Sequence, residues 1–368
     1  MWVHYALFGI LALVGGLLGG RREDGSRKST APLLVAWLLF VAMSGLRART
    51  VGNDTSRYYD VFEKITDADG LSEAFAVSRF ERGYVVVNYL ISRITDDFNV
   101  LLLVVSVFSF WSVVLFIHRY ARSNPLALLL AFGMSVFYDV MLATRQGIAA
   151  AIFLLALPAL MERRPVRYLI LILLAAQFHA SAILLLAAYF IPMLRLNSFL
   201  DWVKWGAVIG ACTGCLSLVL TKASVFSAYY GHYLSSQYAE GGVRMATVMG
   251  VGVRLLMIGL AAMCGWNSAV AADKTGVTRI LVTFAVVDAG IMIVSLGFNL
   301  LDRLEMYLTL PMVVGLGNVV AREPGLRNWY VSVLLVLIAF VSMTIMLLYR
   351  PGWYTLFPYR TVFEEGVW

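Results

Sequence analysis

The chain alternates long apolar blocks with short polar ones, and no polar stretch exceeds about 40 of its 368 residues. The apolar blocks run to about 16 to 22 residues. That is the length a helix needs to cross a hydrocarbon core roughly 30 Å thick. The pattern predicts an all-α, polytopic membrane bundle of about 12 transmembrane helices in a single domain over 1–368. Predicted spans are 2–20, 30–46, 99–118, 125–143, 145–161, 166–178, 180–194, 202–221, 246–266, 278–297, 300–320 and 328–349. The two around residue 179 are short. Half-length or broken helices are allowed where they line a protein cavity.

The connectors set the topology. RREDGSRKS (21–29), HRYARSN (118–124), ERRPVR (162–167), RLNSFLDWVK (195–204), the short loop with Lys274, and AREPGLRN (321–328) are mostly short and net basic. Two short spans within 166–194 put all six on one side, which the positive-inside rule makes cytoplasmic. The outer side then holds 47–98, the 144–146 turn, the bend at 179, 222–245, 298–304 and the stretch from about 350. Residues 47–82 carry six basic and seven acidic side chains, so they are not a positive-inside loop. Within the outer part, FERGYVVVNYLISRI (80–94) predicts a short amphipathic helix at the interface. Arg21 and Arg22 follow the first apolar run rather than precede it, the order of an uncleaved first span and not of a secretion signal.

Composition agrees. The chain is 61% hydrophobic and 14% charged, whereas soluble domains run nearer half apolar and a quarter charged. The net charge of +7 reads as cytoplasmic-loop bias and not as nucleic-acid binding. Cys212 and Cys215 form C-x-x-C inside an apolar span, where packing of small residues is the better reading than redox or zinc chemistry. There is no P-loop, H-E-x-x-H, G-x-S-x-G or Rossmann fingerprint. The D-A-D at 67–69 falls outside and reads as a solvated loop.

Ionisable groups at membrane depth are costly and normally face a cavity or one another. Here they gather toward one face. Arg47, Arg49, Asp54 and Arg57 follow the second span; Glu81 and Arg82 stand in the amphipathic stretch. Arg145 and Gln146 open a span, and His179 sits at the bend. Arg254 lies about two turns into a span; Asp302, Arg303 and Glu305 head another; Tyr359 and Arg360 come last. Asp288 is the exception, near mid-span. Several guanidiniums at headgroup depth suit a lipid phosphate, best a diphosphate. A carboxylate or an imidazole nearby supplies a base for an attacking hydroxyl. Blander readings stand beside this one. Arg47, Arg49 and Arg82 anchor helix ends at headgroups; Arg303 pairs with its acidic neighbours; Arg254 pairs with Asp288. His4, His118 and His232 show no convincing partners.

The order VGNDTSRYYDVFEKI (51–65), RFERGYVVVNYL (79–90), LATRQGIAAAI (142–152), QFHASAILLL (177–186), LLDRLEMYLTLP (300–311) and FPYR (357–360) resembles the EpsG family of Wzy-type O-antigen and exopolysaccharide polymerases. The resemblance implies a GT-C-like membrane glycosyltransferase with its site on the periplasmic or outer face of a bacterial inner membrane. It implies undecaprenyl-diphosphate-linked donor and acceptor glycans, inversion, and no metal or other cofactor. Asp54, Arg57, Glu81, Arg145, Gln146, His179, Arg303 and Tyr307 occupy the motif positions. Asp302 stands where a second basic residue is common.

On this reading His179, Asp54 or Glu81 is the base. Arg145 and Arg303, helped by Arg57, Arg254, Arg49, Gln146 and Tyr307, hold the diphosphate and glycan. Segments 47–98 and 222–245, with Tyr229, Tyr230, Tyr233 and Tyr238, shape the groove. Membrane lipids and a chain-length regulator protein are the further partners expected, and no nucleic acid. The alternatives are a lipid-linked oligosaccharide flippase or transporter, which Asp288 favours, and an O-antigen ligase-like transferase.

Overall fold

The computed structural model describes residues 2–20, 28–194, 205, 244–296, 299–323, 325–349 and 355–364. The predicted span 202–221, with Cys212 and Cys215, lies outside them, as do His232 and the tyrosines of 229–238. The described residues are helical, with one isolated β-bridge between Arg47 and Thr361. The chain divides into two compact units: Met1–Tyr189 with Ala321–Trp368, and Phe190–Val320.

The first unit opens with the apolar helices α1 (Trp2–Leu18) and α2 (Ala31–Gly45). Three shorter helices follow: α3 (Thr55–Thr66), α4 (Leu71–Val77) and α5 (Arg82–Ser92). The last of these is the predicted amphipathic helix. The D-A-D lies in the turn between α3 and α4, with Asp67 and Asp69 both exposed. Next come α6 (Phe98–Tyr120), α7 (Asn124–Gly133), α8 (Val136–Leu142), α9 (Thr144–Met161), α10 (Pro165–Ala176) and a 3-10 helix, Ala180–Met193. The second unit contains α11 (Met245–Ala262), α12 (Trp266–Ala271), α13 (Val277–Ser295), a 3-10 turn (Asn299–Leu304) and α14 (Glu305–Val320). The chain returns to the first unit with α15 (Leu326–Tyr349).

Local chemistry sets the helix starts. The Asp97 side chain accepts from the Asn99 amide at 2.8 Å to begin α6, and Ser123 accepts from Leu126 at 3.4 Å to begin α7. The expected continuous span 125–143 is instead two helices bent by 58°. Ser135, in the left-handed region at φ 65°, makes the break. Aromatic rings pack around it: Phe40 lies 4.6 Å from Phe137 and 5.8 Å from Phe132 between ring centres.

Helices stand at each predicted span that falls in the described residues, but twelve complete crossings do not follow. Among the described residues, only α6, α9, α11, α13 and α15 are long and apolar enough to cross alone, with the bent α7–α8 pair as a sixth. The apolar helices α1, α2 and α10 and the 3-10 helix at 180–193 have 12 to 17 residues. At about 1.5 Å per residue, a twelve-residue α-helix covers roughly 18 Å. A break at 177–179 separates two short helices, the arrangement that the connector charges favour.

Close helix approach in the second unit rests on Gly315. A Cβ there would fall 2.6 Å from the Leu281 carbonyl carbon of α13. Gly315→Ala should cost about 1–3 kcal/mol through overpacking, seen as a lowered apparent melting temperature in detergent. Gly252→Ala, where an added Cβ meets nothing within 4 Å, should leave that temperature unchanged or raise it.

Candidate active site

Each unit holds a polar cluster in which a guanidinium meets a carboxylate. In the first, Glu81 is the hub. One carboxylate oxygen pairs with an Arg145 Nη1 donor, and the other accepts from the Ala180 amide at 3.0 Å. Glu81 stands at the head of α5, and Gly83 two residues on donates its amide to the Gln177 carbonyl at 2.9 Å. That approach requires glycine, since a Cβ at 83 would lie 2.8 Å from the same oxygen. The head of α5 is thus sewn to both sides of the break between α10 and the 3-10 helix. His179 lies within that break, half-buried, with Nδ1 2.7 Å from the Ser181 hydroxyl.

Arg145 is at the start of α9. Its guanidinium lies 4.0 Å from the Phe80 ring centre and 5.9 Å from that of Tyr58. Arg57, exposed, sits over the same Phe80 ring at 5.4 Å. An aromatic face attracts guanidinium through its negative quadrupole. Tyr58 and Tyr84 are buried, which pushes both hydroxyls above the usual tyrosine range, against the pull of Arg145 on each. Asp54 is exposed at the head of α3 and makes no capping bond there. Arg49 is half-buried, 5.1 Å over Tyr59; Gln146, next to Arg145 in the chain, is buried. The first unit therefore brings Arg57, Glu81, Arg145 and the break at His179 together, with Asp54 at the head of the helix that carries Arg57.

Arg47 corrects an expectation. It is not a headgroup anchor but is 1% exposed. It donates to the Ser44 carbonyl at 2.6 Å, the Ser44 hydroxyl at 2.9 Å and the Thr144 hydroxyl at 3.2 Å. No carboxylate pairs with it among the described residues. Burial lowers its guanidinium to about 10, so it stays charged at neutral pH. Residues 355–364 lie along this stretch. The Ala48 amide donates to Arg360 O and the Val362 amide to Leu46 O, both at 3.0 Å, and the Tyr359 hydroxyl donates to Met43 O. His4 also gains partners that its sequence context did not suggest, with Nδ1 2.9 Å from the Tyr138 hydroxyl and Nε2 3.3 Å from Leu356 O.

In the second unit Arg254 of α11 ties three helices. Nε donates to Asp288 of α13 at 2.6 Å, Nη2 to Glu305 at the head of α14 at 2.7 Å, and Nη1 to the Gly250 carbonyl at 3.2 Å. The pairing with Asp288 was legible in sequence; the second carboxylate was not singled out as its partner. Asp288 is fully buried, and its other oxygen has no hydrogen-bond partner among the described residues. Arg303 is half-buried on the 3-10 turn, where its neighbour Asp302 lies 3.9 Å from Arg244. Tyr307 is 1% exposed.

Sequence reasoning also missed the Phe80 platform and the buried Tyr58 and Tyr84. The aromatic spacing in SRYYDVF and RFERGY carries that signal. The family model that matches is that of the EpsG family, over residues 30–361. No curated protein and no solved structure matches the chain.

Glu81→Ala removes both links of the hub, whereas Glu81→Gln keeps an acceptor for the Ala180 amide. Since both ion-pair partners are about one-fifth exposed, Glu81→Ala should cost about 1–3 kcal/mol, and Glu81→Gln less. Apparent melting temperature, with limited proteolysis at 177–180, reads the difference.

Proposed function

The chain belongs to the EpsG family, a family of Wzy-like polymerases, and from that premise we propose that it polymerises undecaprenyl-diphosphate-linked glycans. Both donor and acceptor are lipid-linked, and the site faces the periplasm or outside of a bacterial cell membrane. The observation that carries this reading is the Glu81 hub, which joins a cation, a carboxylate and an imidazole-bearing bend from three distant stretches. A lipid diphosphate needs such a cation, and the sequence offers no nucleotide site, so the leaving group supplies the driving force.

In this mechanism the acceptor's non-reducing-end hydroxyl oxygen attacks the donor's anomeric carbon from the face opposite the diphosphate. The bond from that carbon to the diphosphate oxygen breaks, and the configuration inverts. Arg145, with Arg57 over the shared Phe80 ring, takes up the charge developing on the diphosphate. Arg303, Arg49, Gln146 and Tyr307 remain in the proposed binding set. His179 accepts the hydroxyl proton, since an imidazole suits transfer near neutrality. Glu81 serves better as the group that positions Arg145 than as the base, because both its oxygens are engaged. Asp54 is the second candidate base. Arg254, also in the proposed binding set, is already engaged by two carboxylates. No step is assigned to a metal. The feature that favoured a flippase, Asp288 at mid-span, is met by Arg254, which leaves the polymerase as the better reading.

Purified protein in liposomes with an undecaprenyl-diphosphate repeat unit should give glycan ladders that persist in chelator. Arg145→Ala should lower the rate by 10²-fold or more, in line with loss of an oxyanion donor, and His179→Ala by about 10²-fold. Lipid movement between leaflets without ladders would identify a flippase, and transfer only to a lipid A acceptor would identify a ligase.

A further inference from the structure

The far end of α9 presents a different surface. Pro158 lies 13 residues beyond Arg145 on that helix, roughly 20 Å along its axis. There the ends of α6, α9 and α10 enclose an open groove of about 760 Å³. Its wall is apolar: Leu155, Pro158, Val166, Ile170 and Leu171. Three arginines, 119, 164 and 167, line it as well.

The charges do not cancel. Glu162 is the one acid paired there, 3.0 Å from Arg164 and 3.9 Å from Arg119. Arg167 has no carboxylate partner among the described residues. Arg119 and Arg164 are more than half exposed, so their donors reach the groove mouth at little cost. The turn that carries Arg164 is tight, with Arg163 at φ 58° in the left-handed region. Three cations against one anion at the end of two membrane-length helices call for an anion at headgroup depth. The apolar wall directly beneath calls for hydrocarbon attached to it.

We propose that this groove binds an anionic phospholipid of the surrounding bilayer. The phosphate and charged headgroup lie on Arg164, Arg167 and Arg119, and one acyl chain runs along Ile170, Leu171 and Leu155. Basic pockets between helix ends recognise such lipids through charge-assisted hydrogen bonds. A zwitterionic lipid offers the same chain and phosphate, but its cationic headgroup group meets arginines. The site is separate from the Glu81 hub and does not rest on the polymerase reading.

The test is native mass spectrometry of the full chain released from micelles containing equal phosphatidylglycerol and phosphatidylcholine. The wild type should retain one phosphatidylglycerol with at least tenfold preference. Arg164→Gln with Arg167→Gln should lower that retention about tenfold, and Arg279→Gln with Arg327→Gln, an equal loss of basic charge elsewhere, should leave it unchanged. Ile170→Trp keeps every charge while filling the wall, and should lower retention severalfold at an unaltered melting temperature in phosphatidylcholine. Equal retention of the two lipids by the wild type, or full retention by the double variant, would overturn the site. Retention untouched by Ile170→Trp would reduce it to surface charge and overturn the groove.

Discussion

One carboxylate organises the first unit. Glu81 has two oxygens and uses both, one on the guanidinium of Arg145 and one on the amide of Ala180. Neither neighbour is positioned by its own helix alone. Arg145 opens α9, whose cap residue offers no side-chain bond, and Ala180 opens a 3-10 helix after a break. A long arginine costs up to about 2 kcal/mol of rotamer entropy to hold in one place. The Phe80 ring beneath it and the carboxylate beside it together make that order affordable. The amide of Gly83, bonded to the other side of the same break, keeps the carboxylate aimed.

The buried charges answer low dielectric in opposite ways. Arg254 is met by two carboxylates, so three helices of the second unit are held by one guanidinium. A buried pair of this kind is not a large net source of stability, because desolvation offsets most of the attraction. Removing one member is what costs, and Asp288, fully buried with an oxygen already unpartnered, would be the most expensive to leave alone. Arg47 is handled without an anion among the described residues. Neutral oxygens from Ser44 and Thr144 surround it, so its positive field is left uncancelled beside α9, near Arg145 on the same first turn.

Much of this was legible beforehand. Apolar block length placed the helices, and connector charge favoured two short ones about residue 179. The motif stretches named Glu81, Arg145 and His179, which the fold draws to one place. What escaped has physical causes. Apolar periodicity does not see a break such as Ser135, because a 58° bend leaves the hydropathy of both halves intact. A burial prior puts arginines at the rim, so Arg47 looked like an anchor; its burial depends on strand-like pairing with residues more than 300 positions away. Ring platforms such as Phe80 escape because an aromatic in an amphipathic stretch looks like ordinary core.

That distant pairing bears on how the molecule is assembled. Residues 355–364 follow α15, so a ribosome makes them only after every described helix has been synthesised. Until they arrive, the main chain at 46–52 lacks its partner, and Arg47 keeps access to water. Its full desolvation therefore waits for that pairing, when the neighbouring helices can already supply the Ser44 and Thr144 oxygens. The order of synthesis spreads an electrostatic penalty over an assembly that is ready to absorb it.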